Sequence, residues 1–151
     1  SSEAILCYTG KNIIIQKKNS SVKEYSYKTS FISPKTTLQL HNYIGTTSSV
    51  IIRSDVLNNC IKFDEEIHSL QDYDLYLQLV GKGNFVGIPE GLVTYYFDDS
   101  INHISVNNKA MLFSACKIYL KQKGFARLSI LLGLFVIIVQ KSYKNIYYKS
   151  K

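Results

Sequence analysis

The sequence predicts a single α/β domain that ends in a helical tail. Short β-branched and aromatic runs at residues 4–8, 12–16, 47–52, 85–88 and 92–97 alternate with segments of helical spacing. From Ser105 onward the spacing is helical throughout. A chain of 151 residues that is 46% hydrophobic, with 12 Tyr and 7 Phe, has enough apolar surface for a real core.

Residues 4–8 and 12–16 flank Gly10-Lys11 and predict a β-hairpin, or an edge strand and its return. Residues 17–33 are rich in Lys and Ser and predict a surface excursion. Ser33-Pro34 predicts an N-cap with proline at the first helical position, opening a short helix to His41. Residues 47–52 predict a buried strand, and Ser54-Asp55 caps a brief helix ending near Asn58-Asn59. Ser69 with Asp72 three residues later imitates a capping box and opens a further helix. Its apolar positions are Leu75, Tyr76, Leu79 and Val80, and Gly81 and Gly83 stop it. Residues 85–88 and 92–97 predict strands around a Pro89-Glu90-Gly91 turn. Helices at 108–123, stopped by Gly124, and 126–144 complete the chain. The expected internal boundary falls at Asn107-Asn108, dividing residues 1–107 from a helical tail of 108–151.

The net charge of +7, from 18 basic and 11 acidic residues, suits an anionic membrane surface, a phosphate-bearing ligand or nucleic acid. Nucleic acid fits least, because Arg53 and Arg127 are the only arginines and no nucleic-acid motif is present. Cys7, Cys60 and Cys116 are odd in number, far apart and without metal-ligand spacing. They predict reduced, mostly buried thiols of a cytoplasmic protein. Ser1-Ser2-Glu3 has neither the pattern of a signal peptide nor an initiating Met, so the chain is expected to be a fragment or a processed product.

Against this basic background, Asp64, Glu65, Glu66, Asp72 and Asp74 put five acids into eleven residues. Carboxylates at a helix entrance suit proton abstraction, since the N-terminal dipole favours the ionised form. Asp72-Tyr73-Asp74 superficially has the form of a metal-holding Asp-x-Asp. On a helix, however, positions i and i+2 point roughly 200° apart, so the two cannot clamp one cation. Asp72, in the first turn, is the one expected at the open end, with Asp74 supporting the helix N-terminus or nearby backbone. The plain structural alternative makes all these acids caps on a solvated helix start.

An ordered set of motifs extends this reading. It comprises Asn42-Tyr43-Ile44-Gly45-Thr46-Thr47-Ser48-Ser49-Val50-Ile51-Ile52-Arg53, then Phe63-Asp64-Glu65, then Gln71-Asp72-Tyr73-Asp74-Leu75, then Ile88-Pro89-Glu90-Gly91-Leu92-Val93-Thr94-Tyr95-Tyr96. Together these resemble the second half of the family 2 glycosyltransferases of GT-A fold, over about residues 4–107. The resemblance implies a partial GT-A-like mixed sheet with flanking helices, and an inverting transfer of sugar from a nucleotide-sugar donor to a polysaccharide or lipid-linked acceptor. It implies Asp72 as general base, with Gln71, Asp64, Glu65 and Thr47 shaping the acceptor and donor-sugar site.

Lys62 stands where the family often has Gly, Gln78 where a helix Arg is common, and Phe97-Asp98-Asp99 where Arg or His is frequent. His103 is the nearby candidate for a metal-ligand His, although a lone His in a polar loop is also satisfied by simple exposure. The family's nucleotide-binding half, ending in Asp-x-Asp, is expected to precede Ala4. No Gly-rich phosphate loop is readable in its place. A divalent metal, Mg or Mn, is therefore expected to be held mostly by that missing half, and the isolated chain is expected to be inactive. The different-class alternative is a non-catalytic membrane-surface or protein-interaction module.

Residues 128–139 are apolar apart from Ser129 and Gly133, too short for the roughly twenty residues that a spanning helix needs. Lys121, Lys123 and Arg127 precede this run and Lys141, Lys144 and Lys149 follow it. That pattern predicts either an in-plane helix at the inner face of an anionic membrane, or a helix packed on the domain or in a homodimer.

Overall fold

The computed structural model describes residues 4–17, 20–30, 32–57, 61–98, 108–124, 126–133, 135, 136 and 139. Its centre is β1 (Ala4–Lys17), a strand long enough to pair with three others. β2 (Ser20–Ser26) runs antiparallel to its C-terminal half, with Lys11 opposite Ser26 and Lys17 opposite Ser20. β3 (Val50–Ile52) runs antiparallel to its N-terminal half, with Leu6 opposite Ile52. β4 (Asn84–Asp98) pairs in parallel along almost the whole of β1, from Ala4 to Gln16. Since β4 occupies one edge of β1 throughout, β3 and β2 must follow one another along the opposite edge. The sheet is therefore mixed.

Around it lie α1 (Pro34–Leu40), α2 (Gln71–Leu79) and α3 (Asn108–Lys121). A fourth helix, α4, comprises the helical residues 126–133, 135, 136 and 139. One buried cluster joins them all. Ile5, Leu6 and Tyr8 of β1 meet Leu38 of α1, Tyr73, Leu75, Tyr76 and Leu79 of α2, Ala115 and Ile118 of α3, and Ile130 of α4.

Several elements differ from the sequence expectation. Gly10 is not a hairpin corner, because β1 continues through it. Its glycine identity answers a close approach instead: a Cβ there would sit 2.5 Å from the Pro89 carbonyl oxygen and 2.6 Å from the Tyr25 hydroxyl. Likewise Pro89-Glu90-Gly91 is not a turn. Thr9 pairs with Ile88 and Gly10 with Gly91, so Pro89 and Glu90 bulge out of a continuous β4. A bulge is where a strand accepts a proline that cannot donate to the ladder. The hairpin exists, but its second strand comes from the polar segment read as a surface excursion. In residues 47–52 only the last three are strand, and Ile51 is 76% exposed.

Ser33 caps α1 as expected, its Oγ accepting from the Thr36 N–H at 3.1 Å. The brief turn at Ser54–Val56 has Arg53 at its cap, with no side-chain capping bond, and Asp55 pairs with the Arg53 guanidinium instead. Asn58, Asn59 and Cys60 lie outside the described residues, as do His103 and residues 140–151. Cys7 and Cys116 are free thiols, and Cys116 is exposed on α3 rather than buried.

Two glycines separate steric from conformational demand. Gly81 follows α2 at φ +93 with nothing within 4 Å of its missing Cβ. Gly81→Ala should therefore cost only the left-handed strain, roughly 1 kcal/mol. Gly10→Ala should cost about 1–3 kcal/mol, because Pro89 is met at its backbone and the bulge must move. Urea unfolding of the two variants compares them directly, and equal losses would show that the β1–β4 contact is slack.

Candidate active site

A wide cleft of about 620 Å³ opens where the loop of residues 61–70 enters α2. Thr47, Asp64, Glu65, Gln71 and Asp72 all line it, together with Phe63, Ile67, His68, Ser69 and Leu70. Five residues named from sequence thus meet on one concave surface, drawn from a 3-10 turn, a loop and a helix start. His103 is the exception, since it lies outside the described residues.

The loop is held from three sides. The Asp64 carboxylate accepts from the Glu66 N–H at 2.9 Å, and the Ile67 N–H donates to the Asp64 carbonyl at 3.1 Å, forming a tight local turn. The Gln78 side chain clasps Lys62, accepting from its N–H at 3.3 Å and donating to its carbonyl at 3.1 Å. From α3, the Ser114 hydroxyl oxygen accepts from the buried Ser69 N–H at 3.1 Å. This last bond replaces the expected capping box. Ser69 does not cap α2; the cap is Leu70, in the left-handed region at φ 64, with no side-chain capping bond. Such a conformation is costly for leucine and is sustained only where the surroundings over-determine it.

Asp72 and Asp74 have different fates. Asp74 is 1% exposed, and its Oδ2 accepts from Gln78 Nε2 and Lys121 Nζ, both at 2.8 Å. The same ammonium lies 2.7 Å from Asp64, so one lysine of α3 bridges loop and helix. Lys121, with the Glu66 N–H, holds the Asp64 carboxyl below the usual carboxylate range. Asp74 serves structure, through a partner on α3 rather than through the helix N-terminus or nearby backbone.

Asp72 faces the cleft half-buried, its Oδ1 accepting from the Tyr73 N–H at 2.7 Å. Burial pushes its carboxyl above the ordinary range, opposed by that hydrogen bond and by the Lys11 ammonium. The expectation that the helix dipole keeps this group readily ionised is therefore corrected, because desolvation outweighs it. Lys11 is itself lowered by burial, and Asp72 opposes that shift. Its Nζ runs so close to Gly45 that a Cβ there would fall 2.3 Å away. Lys11 also lines a small polar cavity of about 70 Å³ with Lys28, Tyr8, Tyr27 and Tyr43. Beneath α2, the Tyr73 hydroxyl donates to the Leu38 carbonyl at 2.8 Å and locks the helix start to the end of α1.

Lys11, Lys121 and Ser114 escape sequence reading. Gly10-Lys11 imitates a turn, and the two α3 residues lie more than forty positions from the groups they hold. Among the described residues, no three His, Cys, Asp or Glu side chains are grouped to hold a metal ion. Asp64 and Asp74 are both committed to Lys121. The divalent metal implied by resemblance thus finds no ligand set among the described residues, and His103 lies outside them. No protein-family model, curated protein or solved structure matches the chain.

Removing Lys121 should strand a buried carboxylate. Lys121→Ala is expected to destabilise by on the order of 2 kcal/mol, below the figure for a fully buried pair because the ammonium is about one-third exposed. Adding Asp74→Asn should restore most of the loss. A double-mutant cycle by denaturant unfolding tests this, and additive losses would show that the bridge contributes nothing.

Asp72 should behave in the opposite way. Because its folded pKa is raised, its stabilising contribution is complete below the unfolded carboxylate range and is lost as pH rises through the folded pKa. Asp72→Asn should therefore melt higher than the parent at neutral pH, with the gap closing below about pH 4. A lower melting temperature for the variant at pH 7 would show that the carboxylate is structural.

Proposed function

We propose that this chain is the acceptor side of an inverting glycosyltransferase of the family 2, GT-A kind, with Asp72 as general base. It would act in the cytoplasm or at the inner membrane face, on a polysaccharide or lipid-linked acceptor. The observation that carries this reading is the convergence of Thr47, Asp64, Glu65, Gln71 and Asp72 on one open cleft. Among its acids Asp72 is desolvated, whereas Asp64 is held by a lysine.

In this reading the acceptor hydroxyl enters beside Asp72. Its oxygen forms the new bond to the anomeric carbon of the donor sugar, and its proton passes to the Asp72 carboxylate. The bond to the nucleoside diphosphate breaks on the opposite face, so the configuration inverts. A carboxylate raised by burial is a better proton acceptor than a solvated one, because its pKa lies nearer the working pH. Lys11 limits the rise and keeps enough of the group ionised to act. Phe63, about half exposed at the cleft, offers an apolar surface against a sugar ring. The reading assigns the nucleotide and its metal to a unit outside residues 1–151.

The deciding experiment measures sugar transfer from uridine- and guanosine-diphosphate sugars to lipid-linked and oligosaccharide acceptors, in the enzyme containing this chain. Asp72→Asn should lower turnover by about 10²–10⁴-fold while donor binding is retained. Asp74→Asn should act mainly on stability. Near-normal turnover in Asp72→Asn would leave a non-catalytic interaction module as the better description.

Lys11 supplies a second, independent readout. Lys11→Met removes the charge that opposes burial, so the Asp72 pKa should rise further. The acid limb of the pH–rate profile should then move to higher pH, with kcat at the alkaline plateau little changed. An unmoved limb would separate Lys11 from the base, and a limb moved to lower pH would contradict the electrostatic account.

A further inference from the structure

In α4 the outward positions are Leu128, Leu131, Leu132, Phe135, Val136 and Val139, each between 47% and 65% exposed. Their spacing of three and four makes one continuous stripe along the helix. The inward face is Ser129, Ile130 and Gly133, all buried. A Cβ on Gly133 would fall 2.4 Å from the Leu40 carbonyl oxygen, so the helix is pressed directly onto the end of α1. The helix is thus anchored to the domain through Ser129, Ile130 and Gly133 and turns a stripe of large apolar side chains outward. On α3, Leu112, Phe113 and Leu120 are also exposed. A helix on a water-soluble surface carries the reverse pattern.

Two observations say what covers this face. First, residues 108–151 contain nine Lys and Arg and no Asp or Glu. Of the described ones, Lys117 and Lys121 are taken by acids of the loop and of α2, which leaves Lys109, Lys123 and Arg127 with no acid in either helix to meet them. A two-fold contact between copies would set this acid-free surface against itself. An anionic surface is complementary where a second copy is repelled. Second, no helix among the described residues is long and apolar enough to cross a membrane. An in-plane contact is the mode this stripe fits, because it runs along the helix while the opposite face is buried in the domain.

We propose that the outward faces of α3 and α4 form a docking surface for an anionic lipid bilayer, with the apolar stripe entering the headgroup boundary and the basic residues meeting lipid phosphates. The proposal does not depend on sugar transfer, because it concerns only where the protein sits.

The test is flotation of the full chain with vesicles of phosphatidylcholine alone, or of equal parts phosphatidylcholine and phosphatidylglycerol, at low and high salt. The chain should float with the anionic vesicles only, and less at high salt, since the charge attraction is screened. The double variant Leu132→Ser/Phe135→Ser changes two exposed side chains. It should keep the parent melting temperature and lose at least about tenfold in partition. Sedimentation without lipid covers the competing occupant. The idea is overturned if the chain ignores anionic vesicles, or if the double variant binds them as well as the parent. It is also overturned if the double variant turns a dimer into monomers while lipid partition is unchanged.

Discussion

The Lys121 ammonium lies 2.7 Å from Asp64 and 2.8 Å from Asp74, joining the loop at the cleft entrance to the body of α2. Lys121 does not act alone on α3. Ser114 holds the Ser69 N–H and Lys117 pairs with Glu66, so positions 114, 117 and 121 present one helical face to the loop. Three contacts at spacings of three and four fix a segment that has little regular structure of its own. The buried Asp74 makes the arrangement hard to leave, since its Oδ1 already has no partner. If the cation withdrew, a desolvated carboxylate would remain, and that costs more than a typical hydrogen bond contributes.

The parts of the fold legible in the sequence are those in which a local residue pattern has a local cause. Ser33-Pro34 caps α1 because a hydroxyl and a proline ring act within one turn of the helix they open. The apolar positions Leu75, Tyr76 and Leu79 do bury one side of α2. Gly10 and Pro89 were misleading because their signals belong to each other. A glycine in one strand makes room for a bulged proline in the strand beside it, almost eighty residues away, and each read alone imitates a turn. Ser69 misled for the same reason. Its position fits a cap, but the backbone at Leu70 turns left-handed, and the Ser69 N–H is taken by Ser114.

The site shows the same division. Thr47, Asp64, Glu65, Gln71 and Asp72 could be named because they lie in short ordered motifs, and they line one cleft. The groups that set their charge could not be named. Lys11 and Lys121 reach the site from β1 and α3, and in a chain with 18 basic residues nothing local marks these two. Asp72 and Asp74 are chemically alike and two residues apart, so only the third dimension separates them. One meets a lysine in the core and the other a cleft.

That separation bears on why Asp72 is held as it is. Folding alone would favour a neutral side chain there, because burial disfavours its charged form and Lys11 offsets only part of the penalty. Asp74, the same side chain and more deeply buried, receives a direct ammonium partner and a glutamine. The chain thus contains the means to pair a buried carboxylate fully, and applies it at the position facing the core. At the position facing the cleft the carboxylate is left under-compensated, with an adjacent cation that tempers it without a direct bridge. In the proposed function this under-compensated carboxylate, at the lip of an open cavity and two residues from a leucine in a strained conformation, is the proton acceptor rather than a cap.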